Sequence, residues 1–321
     1  MKNFWKNKRV LVTGGGGFIG SNVTKELIRR KSIVTVVVSK SSSNIKIKKI
    51  FNHLLSNIKI IKVDLTSLDK CLKVTKNMDV VLNFAALDGG AKFKKEHSGK
   101  IYRVNTEIVK NILEASRLNN VDRVLLMSSI EIYPKGIKGT VREEDADMRV
   151  SHGYVGSKVF SEKLAKKYYD KYCLKIAIAR PGNVFGPGDT ISPKRARVIP
   201  VFVKKALNNE DIEISVNPLR KLSFIYITDL TGVLLDLAKN YACCEPVNII
   251  GSTSISLEDL AKLIIKTSGS KSRVIIKYDG AKEENIKISS VKARKALSFK
   301  EKVSLNEGLS LLIMSIKKDC I

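Results

Sequence analysis

Residues 9–27, RVLVTGGGGFIGSNVTKEL, constrain the fold of this chain more than any other stretch. A short β-branched, aliphatic run, Val10 to Thr13, leads into four consecutive glycines and then into an amphipathic helical pattern. In a strand, turn and helix of this kind the glycines have separate tasks. Gly14 permits the tight turn, Gly17 lets the backbone approach a pyrophosphate, and Gly20 lets the helix pack closely on the strand. Phe18 and Ile19 open the helix beside the anion, where N–H groups and the helix dipole favour negative charge. The stretch predicts a dinucleotide-binding βαβ unit at the start of the chain.

The pattern that follows extends this unit into a sheet. Apolar runs at Ile33–Val38, Ile58–Val63, Val80–Phe84, Val124–Ser128 and Lys175–Ala179 alternate with helical stretches. These stretches are Ile19–Arg30, Ile45–Leu55, Leu68–Thr75, Tyr102–Asn119 and Tyr154–Tyr172. Strands spaced by helices imply parallel pairing with helical crossovers, and hence an α/β, Rossmann-like doubly wound sheet over residues 1–180. After Arg180 the loop PGNVFGPGD opens a smaller mixed α/β lobe, residues 181–321, which ends in a helix near Ser304–Ile316. A helical crossover from this lobe back to the sheet is compatible with the pattern, and the site is expected between the two parts.

Composition excludes several alternatives. No run approaches the roughly 18 to 20 apolar residues a membrane helix needs, and the N-terminus lacks a signal-peptide pattern, so a cytoplasmic location is expected. The five cysteines, Cys71, Cys173, Cys243, Cys244 and Cys320, form no CxxC pair and read as reduced and structural. His53, His97 and His152 are scattered, and no metal site is expected. The formal charge of +27 favours polyanions, but Lys and Arg are spread over every segment without an aromatic platform. Nucleic-acid binding is therefore not expected, and the lysines read as a solvated surface that helps an anionic substrate.

About twenty residues beyond Gly20, where an acidic side chain would hold the adenosine ribose, the second strand ends instead in Ser39 and Lys40. A cation among hydroxyls suits a 2′-phosphate, which favours NADP over NAD. Asp64 at the end of the third strand, with Leu65, is placed to meet the adenine. Ala85 and Ala86 after the fourth strand are small enough to let a cofactor pass.

Tyr154 and Lys158, four apart in YVGSK, project from one face at the start of a helix. A free Tyr titrates near a pKa of about 10, so acid/base work near neutral pH needs a neighbouring ammonium. Ser129, in LLMSSIEIYP at the end of the fifth strand, lies where ligands of such sheets bind.

These residues, with TGGGGFIG, NFAAL and RPGNVFGPGD, resemble the extended short-chain dehydrogenase/reductases, the NAD(P)-dependent sugar-nucleotide epimerases and dehydratases. The likeness covers nearly the whole chain and continues through FIYITDL, VNIIGSTSISLEDLAKLI and KARKALSFKEKVSLNEGL. It implies that Tyr154 takes the proton of the sugar 4-hydroxyl, that Ser129 hydrogen-bonds that oxygen, and that Lys158 also holds the nicotinamide ribose. A 4-ketone acidifies the hydrogens at C3 and C5, so the next event depends on the neighbouring acid or base.

Glu131 is the informative residue. Dehydratases of this family place a Glu there, although some precede it with an Asp where this chain has Ile130. The GDP-fucose synthases and GDP-mannose 3,5-epimerases share the look of AALDGG and IYPK but have Cys at position 131. The synthase motif also has a His where this chain has Arg197. The family places Asn183 near the substrate diphosphate; Arg197 with Arg220 or Lys221 carry the charge to face its phosphates, and Asp88, Gly89 and Gly90 are expected to line the sugar, the glycines allowing close backbone approach. Its usual phosphate-clamp arginine is Leu222 here. Epimerase and dehydratase both remain open, with an NADPH-dependent 4-ketosugar reductase as a further enzymatic reading. A non-catalytic nucleotide sensor or RNA-binding protein fits the Ser129, Tyr154 and Lys158 set poorly. The family also implies a homodimer, paired through Tyr102–Asn119 and Tyr154–Tyr172.

Overall fold

The computed structural model describes residues 3–134, 136–137, 139–189, 197–280 and 286–319, with the side chain of Asp319 set aside. Cys320 lies outside the described residues. In chain order the elements begin β1 (Arg9–Thr13), α1 (Phe18–Arg29), β2 (Ile33–Val38), α2 (Asn44–Phe51), β3 (Ile58–Lys62), α3 (Leu68–Thr75) and β4 (Val80–Asn83). They continue with α4 (Ala91–Glu96), α5 (Ser98–Leu118), β5 (Arg123–Met127), β6 (Thr140–Val141), α6 (Gly153–Tyr172), β7 (Lys175–Pro181) and β8 (Asn183–Phe185). There follow α7 (Val198–Leu207), β9 (Ile212–Ile214), β10 (Lys221–Tyr226), α8 (Ile227–Asn240), β11 (Cys243–Ile249) and β12 (Ser254–Ser256). The last are α9 (Leu257–Ser268), β13 (Val274–Ile276), β14 (Lys287–Ile288), α10 (Val291–Leu297) and α11 (Leu305–Asp319).

Over the described residues the chain forms two compact units. The first comprises Met1–Ile132, Asp147–Arg180 and Thr231–Val247. Its centre is the expected α/β sheet, with seven strands in the order β11-β7-β5-β4-β1-β2-β3. The pairs from β7 through to β3 are parallel. Because β1 is flanked by β2 on one side and β4 on the other, the winding reverses beside it, and the crevice at the carboxyl ends of β1 and β4 is where such sheets take ligands. The β-branched runs are buried from their second residue in β1 and β2 and throughout β4, as strands covered on both faces require. At the edge, β3 turns Lys59 and Lys62 outward, a charge pattern that discourages pairing with another sheet. One face packs Leu11, Val81 and Leu126 against Ile112 of α5 and Ala165 of α6.

The second helix departs from the sequence reading. The helix expected over Ile45–Leu55 stops at Phe51, where Asn52 takes a left-handed backbone and a 3-10 turn covers Asn52–Asn57. Buried Phe51 anchors the helix, but no residue of the turn is buried to extend it. A seventh strand, β11, joins the sheet beside β7 after α8, the helical crossover back to the sheet with which the sequence pattern is compatible.

The second unit comprises Tyr133–Ala146, Pro181–Leu230 and Asn248–Ile321. It holds a three-stranded sheet, β12-β10-β8, and two strand pairs, β13-β9 and β14-β6. On α11, Gly308 lies against the rings of Phe185 and Tyr226, where an added Cβ would stand 2.7 Å from each. Among the described residues no helix is long and apolar enough to cross a membrane. Cys71, Cys173, Cys243 and Cys244 are all free thiols. Burial pushes the thiols of Cys71 and Cys244 up to about 12, so neither ionises near neutral pH.

Candidate active site

The glycine turn has the geometry its spacing predicts. Gly14 sits at φ +64, and a Cβ there would stand 2.7 Å from the Phe84 carbonyl carbon. A Cβ on Gly20 would reach the Gly14 carbonyl oxygen at 2.5 Å, so helix and turn touch only because both residues are glycine. Gly17 differs: it is exposed, and its Cβ would meet nothing within 4 Å except the Gly14 oxygen at 3.2 Å. It caps α1 without a side-chain hydrogen bond, and Phe18 and Ile19 follow it half-buried. This open helix end is a cradle of the kind that accepts a dinucleotide pyrophosphate.

The ends of β1 and β4 are locked together beside it. Thr13 Oγ1 donates to Asn83 Oδ1 at 2.5 Å and accepts from the Ala85 N–H at 3.1 Å. A small cavity below is lined by Asn83, Ala85, Ala86, Met127 and Lys158. Ser128 next to it has a buried hydroxyl without a protein partner, which a bound group would satisfy. The residues present thus fit a dinucleotide.

Beyond β2, the hydroxyl of Ser39 lies 3.0 Å from that of Ser41 and 3.1 Å from that of Ser42, and Lys40 is exposed. Lys62 Nζ donates to the Ser42 carbonyl at 2.7 Å, bringing a second ammonium to this loop. Asp64 lies two residues past the end of β3, and its Oδ1 accepts from both the N–H and the hydroxyl of Thr66. Those hydrogen bonds, with Lys70 and Lys40 nearby, hold its carboxyl below the usual range. Leu65 is buried, and its carbonyl accepts from Asn111, which ties it into the core.

The residues read as catalytic converge on the loops after β4 and β5 and the first turns of α6. Gly153 opens α6 at φ +62, and Gly156 lets the helix pass Ser151, whose carbonyl carbon a Cβ would approach to 2.6 Å. The helix thereby presents Tyr154 and Lys158 one turn apart. Lys158 is buried, and its Nζ donates to the Met127 carbonyl at 2.7 Å. Burial lowers its pKa to about 8, with Asp88, Glu131 and Glu162 opposing the shift and Lys94 adding to it. Ser129, also buried, accepts the Glu131 N–H at 3.1 Å, so its own O–H remains a donor.

Two residues organise this site without having been singled out in the sequence. Asn105 of α5 is buried and pairs with both backbone groups of Leu87, at 2.6 Å to its N–H and 3.1 Å to its carbonyl. It fixes the loop after β4. Lys94 of α4 bonds both oxygens of Glu131, at 2.6 and 2.9 Å. The same ammonium lies 3.4 Å from Asp88 Oδ1 and 3.9 Å from the centre of the Tyr154 ring. Gly89 meets a packing demand, because a Cβ there would strike the Phe93 ring at 2.5 Å. Gly90 caps α4.

The remaining candidates belong to the second unit. Asn183 Nδ2 donates to the Ser223 carbonyl at 3.1 Å and ties β8 to β10. Arg197 forms an ion pair with Asp189 at 3.3 Å. Arg220 is exposed and its carbonyl accepts the Leu257 N–H. Lys221 and Leu222 open β10. Among the described residues, no three His, Cys, Asp or Glu side chains converge as a metal site would require.

The model of the NAD dependent epimerase/dehydratase family matches residues 10–249. A dTDP-4-dehydro-6-deoxy-D-allose reductase of Streptomyces sp is 32% identical over 279 residues, 84% of this chain and 84% of that protein. The GDP-mannose 3,5-epimerase of Arabidopsis thaliana is 28% identical over 330 residues, 99% of this chain and 85% of the plant protein. The structure of a UDP-N-acetylglucosamine 4-epimerase from Methanobrevibacter ruminantium M1 superimposes with a TM-score of 0.85 at 26% identity, covering 98% of this chain and 99% of that one. The chain belongs to the NAD dependent epimerase/dehydratase family, in the extended short-chain dehydrogenase/reductase type. It is an enzyme, and its relatives are sugar-nucleotide epimerases, dehydratases and reductases.

Proposed function

We propose that this enzyme oxidises a nucleotide-diphosphate sugar at C4 and then acts on the 4-keto species as an epimerase or 4,6-dehydratase. The observation that carries this reading is the carboxylate of Glu131, which shares one ammonium, Lys94, with the ring of Tyr154. A nicotinamide dinucleotide held at the Gly14–Gly20 turn would accept the C4 hydride and return it to the sugar, leaving the cofactor unchanged over the cycle. Tyr154, as phenolate, takes the proton of the 4-hydroxyl, and the Ser129 hydroxyl donates to the same oxygen. Lys158 stabilises the phenolate from one turn along α6. Glu131 then removes the acidified proton beside the ketone, the step that separates this outcome from simple redox.

A second reading, net reduction of a 4-ketosugar with NADPH, draws on the Streptomyces relative and on Lys40 among the Ser39 hydroxyls. The same loop supports NADP as the cofactor in either reading. Asn183, Arg197 and Arg220 are assigned to the substrate phosphates, Asp88 to the sugar. Pairing of two copies through α5 and α6 belongs to the same proposal.

The test incubates the purified enzyme with NAD or NADP and UDP-, GDP-, CDP- and dTDP-hexoses, following products by NMR and nicotinamide absorbance in parallel. An epimer or 4-keto-6-deoxy product without net change in the nicotinamide supports the first reading, and one NADPH consumed per product supports the second. In the first case Tyr154→Phe costs about 100-fold or more in kcat, and Glu131→Gln abolishes the step after oxidation. Full dehydration or epimerisation by Glu131→Gln would remove Glu131 from the mechanism. No turnover of any sugar, together with salt-sensitive RNA binding that Tyr154→Phe leaves unchanged, would sink both enzymatic readings.

A further inference from the structure

Lys94 stands on a six-residue helix whose sequence, AKFKKE, has the look of a solvated surface. Its surroundings are different. The side chain is only 21% exposed, against 50% for Glu131 and 44% for Asp88, so it lies deeper than either carboxylate it meets. Glu131 binds it through both oxygens, Asp88 approaches from the loop after β4, and the ammonium rests 3.9 Å above the Tyr154 ring. On the same ring, Lys158 Nζ stands 5.3 Å from the centre. Tyr154 therefore faces two ammonium groups, one from its own helix and one from α4.

An ammonium over an aromatic face is attracted to the ring's electron density, and that attraction grows when the phenol ionises. Its strength also depends on how fully other anions neutralise the ammonium. Here the neutralising group is Glu131.

We propose that Lys94 is a positioning residue that, together with Lys158, stabilises the Tyr154 phenolate and makes its acidity depend on whether Glu131 carries a proton. With Glu131 ionised, the charge of Lys94 is shared between carboxylate and ring. Once Glu131 takes up a proton, the ammonium is left to Tyr154, whose hydroxyl becomes the stronger acid. Within the function proposed above, on which this use of the coupling rests, Tyr154 becomes the better proton donor to the sugar oxygen at the point where Glu131 has been loaded. The groups that set the balance are Lys94, Lys158, Glu131 and Asp88; His152, two residues before Tyr154, is exposed.

The experiment titrates the full-length, substrate-free enzyme labelled with 13Cζ-tyrosine, with the Tyr154 signal assigned by its loss in Tyr154→Phe. Lys94→Met raises the Tyr154 midpoint by about one pH unit, and Lys94→Arg restores it to within about 0.3. Glu131→Gln moves it the opposite way, down by about half a unit, and this effect disappears when Lys94→Met is also present. A purely structural role for Lys94 gives no such opposite signs. Should Lys94→Met lose its native amide spectrum, Lys94→Gln takes its place, and the Glu131→Gln shift in the wild-type background is a separate reading of the same coupling. A midpoint unmoved by loss of Lys94, or a Glu131→Gln effect of equal size with and without Lys94, overturns the proposal. No sugar is present, so failure here leaves the proposed reaction standing, and failure to find turnover leaves these midpoints unchanged.

Discussion

At the scale of single residues, the site couples one buried ammonium to several partly exposed charges. Burial holds the folded-state pKa of Lys158 at about 8 against an ordinary 10.5. Between those values the unfolded chain binds more of this proton than the folded one, so stability rises with pH across the window. Below it the native protein carries the full cost of the buried ammonium. Lys158→Met, which retains the volume without the charge, is therefore more stable than wild type at pH 7, by about 1–3 kcal/mol. The gain shrinks as pH rises from 8 to 10.5 and comes with loss of turnover. Urea unfolding of both proteins at pH 7 and pH 10 checks the sign, and a variant less stable at pH 7 contradicts it. A second residue-scale prediction concerns Ser39 at the end of β2. Ser39→Asp places a carboxylate where a 2′-phosphate would lie and lowers affinity for NADP relative to NAD by about tenfold or more. Titration of both cofactors by calorimetry measures the ratio, and an unchanged ratio removes this loop from cofactor choice.

At the scale of elements, the central sheet is joined to its helices by polar groups that have no room to move. Arg180, near the end of β7, and Glu162 of α6 are 2% and 4% exposed and meet in a two-pronged pair, at 2.9 and 2.6 Å. Removing the Glu162 charge takes the two-pronged carboxylate from a guanidinium buried in the core. Glu162→Gln is expected to cost about 3–5 kcal/mol, read from the shift in the urea midpoint, whereas a loss below about 1 kcal/mol would mean that the remaining contacts of Arg180 compensate for the lost carboxylate. Local pattern made much of this scale readable. The glycine turn is legible because its steric demands fall within one strand, turn and helix. Tyr154 and Lys158 are legible because a helical period alone puts them on one face. Asn105 and Lys94 are not: their partners lie on other elements, Leu87 after β4 and Glu131 after β5, and neither side chain differs in sequence from an ordinary surface residue. Gly89 carries a packing demand that its sequence context does not show, because an added Cβ would meet the neighbouring Phe93 ring.

At the scale of the whole molecule, 58 basic against 31 acidic side chains leave this chain a net charge of +27, and its relatives are named for nucleotide-diphosphate sugars, which are anions. Such a charge repels itself and draws anions from a distance, and salt screens both effects. Raising NaCl from about 20 to about 300 mM, which shortens the Debye length severalfold, is expected to raise Tm by a few degrees and to raise KM for the nucleotide sugar severalfold. Differential scanning calorimetry and initial rates test the two together. A Tm that falls with salt would show that the charges are arranged in favourable pairs rather than in net repulsion.

What the sequence determined by itself is local. Strand and helix periods, the glycine turn, the Tyr154 and Lys158 face and the family all follow from residues close in the chain, because backbone sterics and side-chain periodicity act over a few positions. The tertiary structure decided what depends on distant segments meeting. It paired β11 with β7 at the sheet edge, locked Thr13 to Asn83 across 70 positions, and brought Glu131 and Tyr154, from two separate segments, onto the ammonium of Lys94. Charge and burial act through space, and no spacing along the chain encodes which lysine of many will be held over the Tyr154 ring.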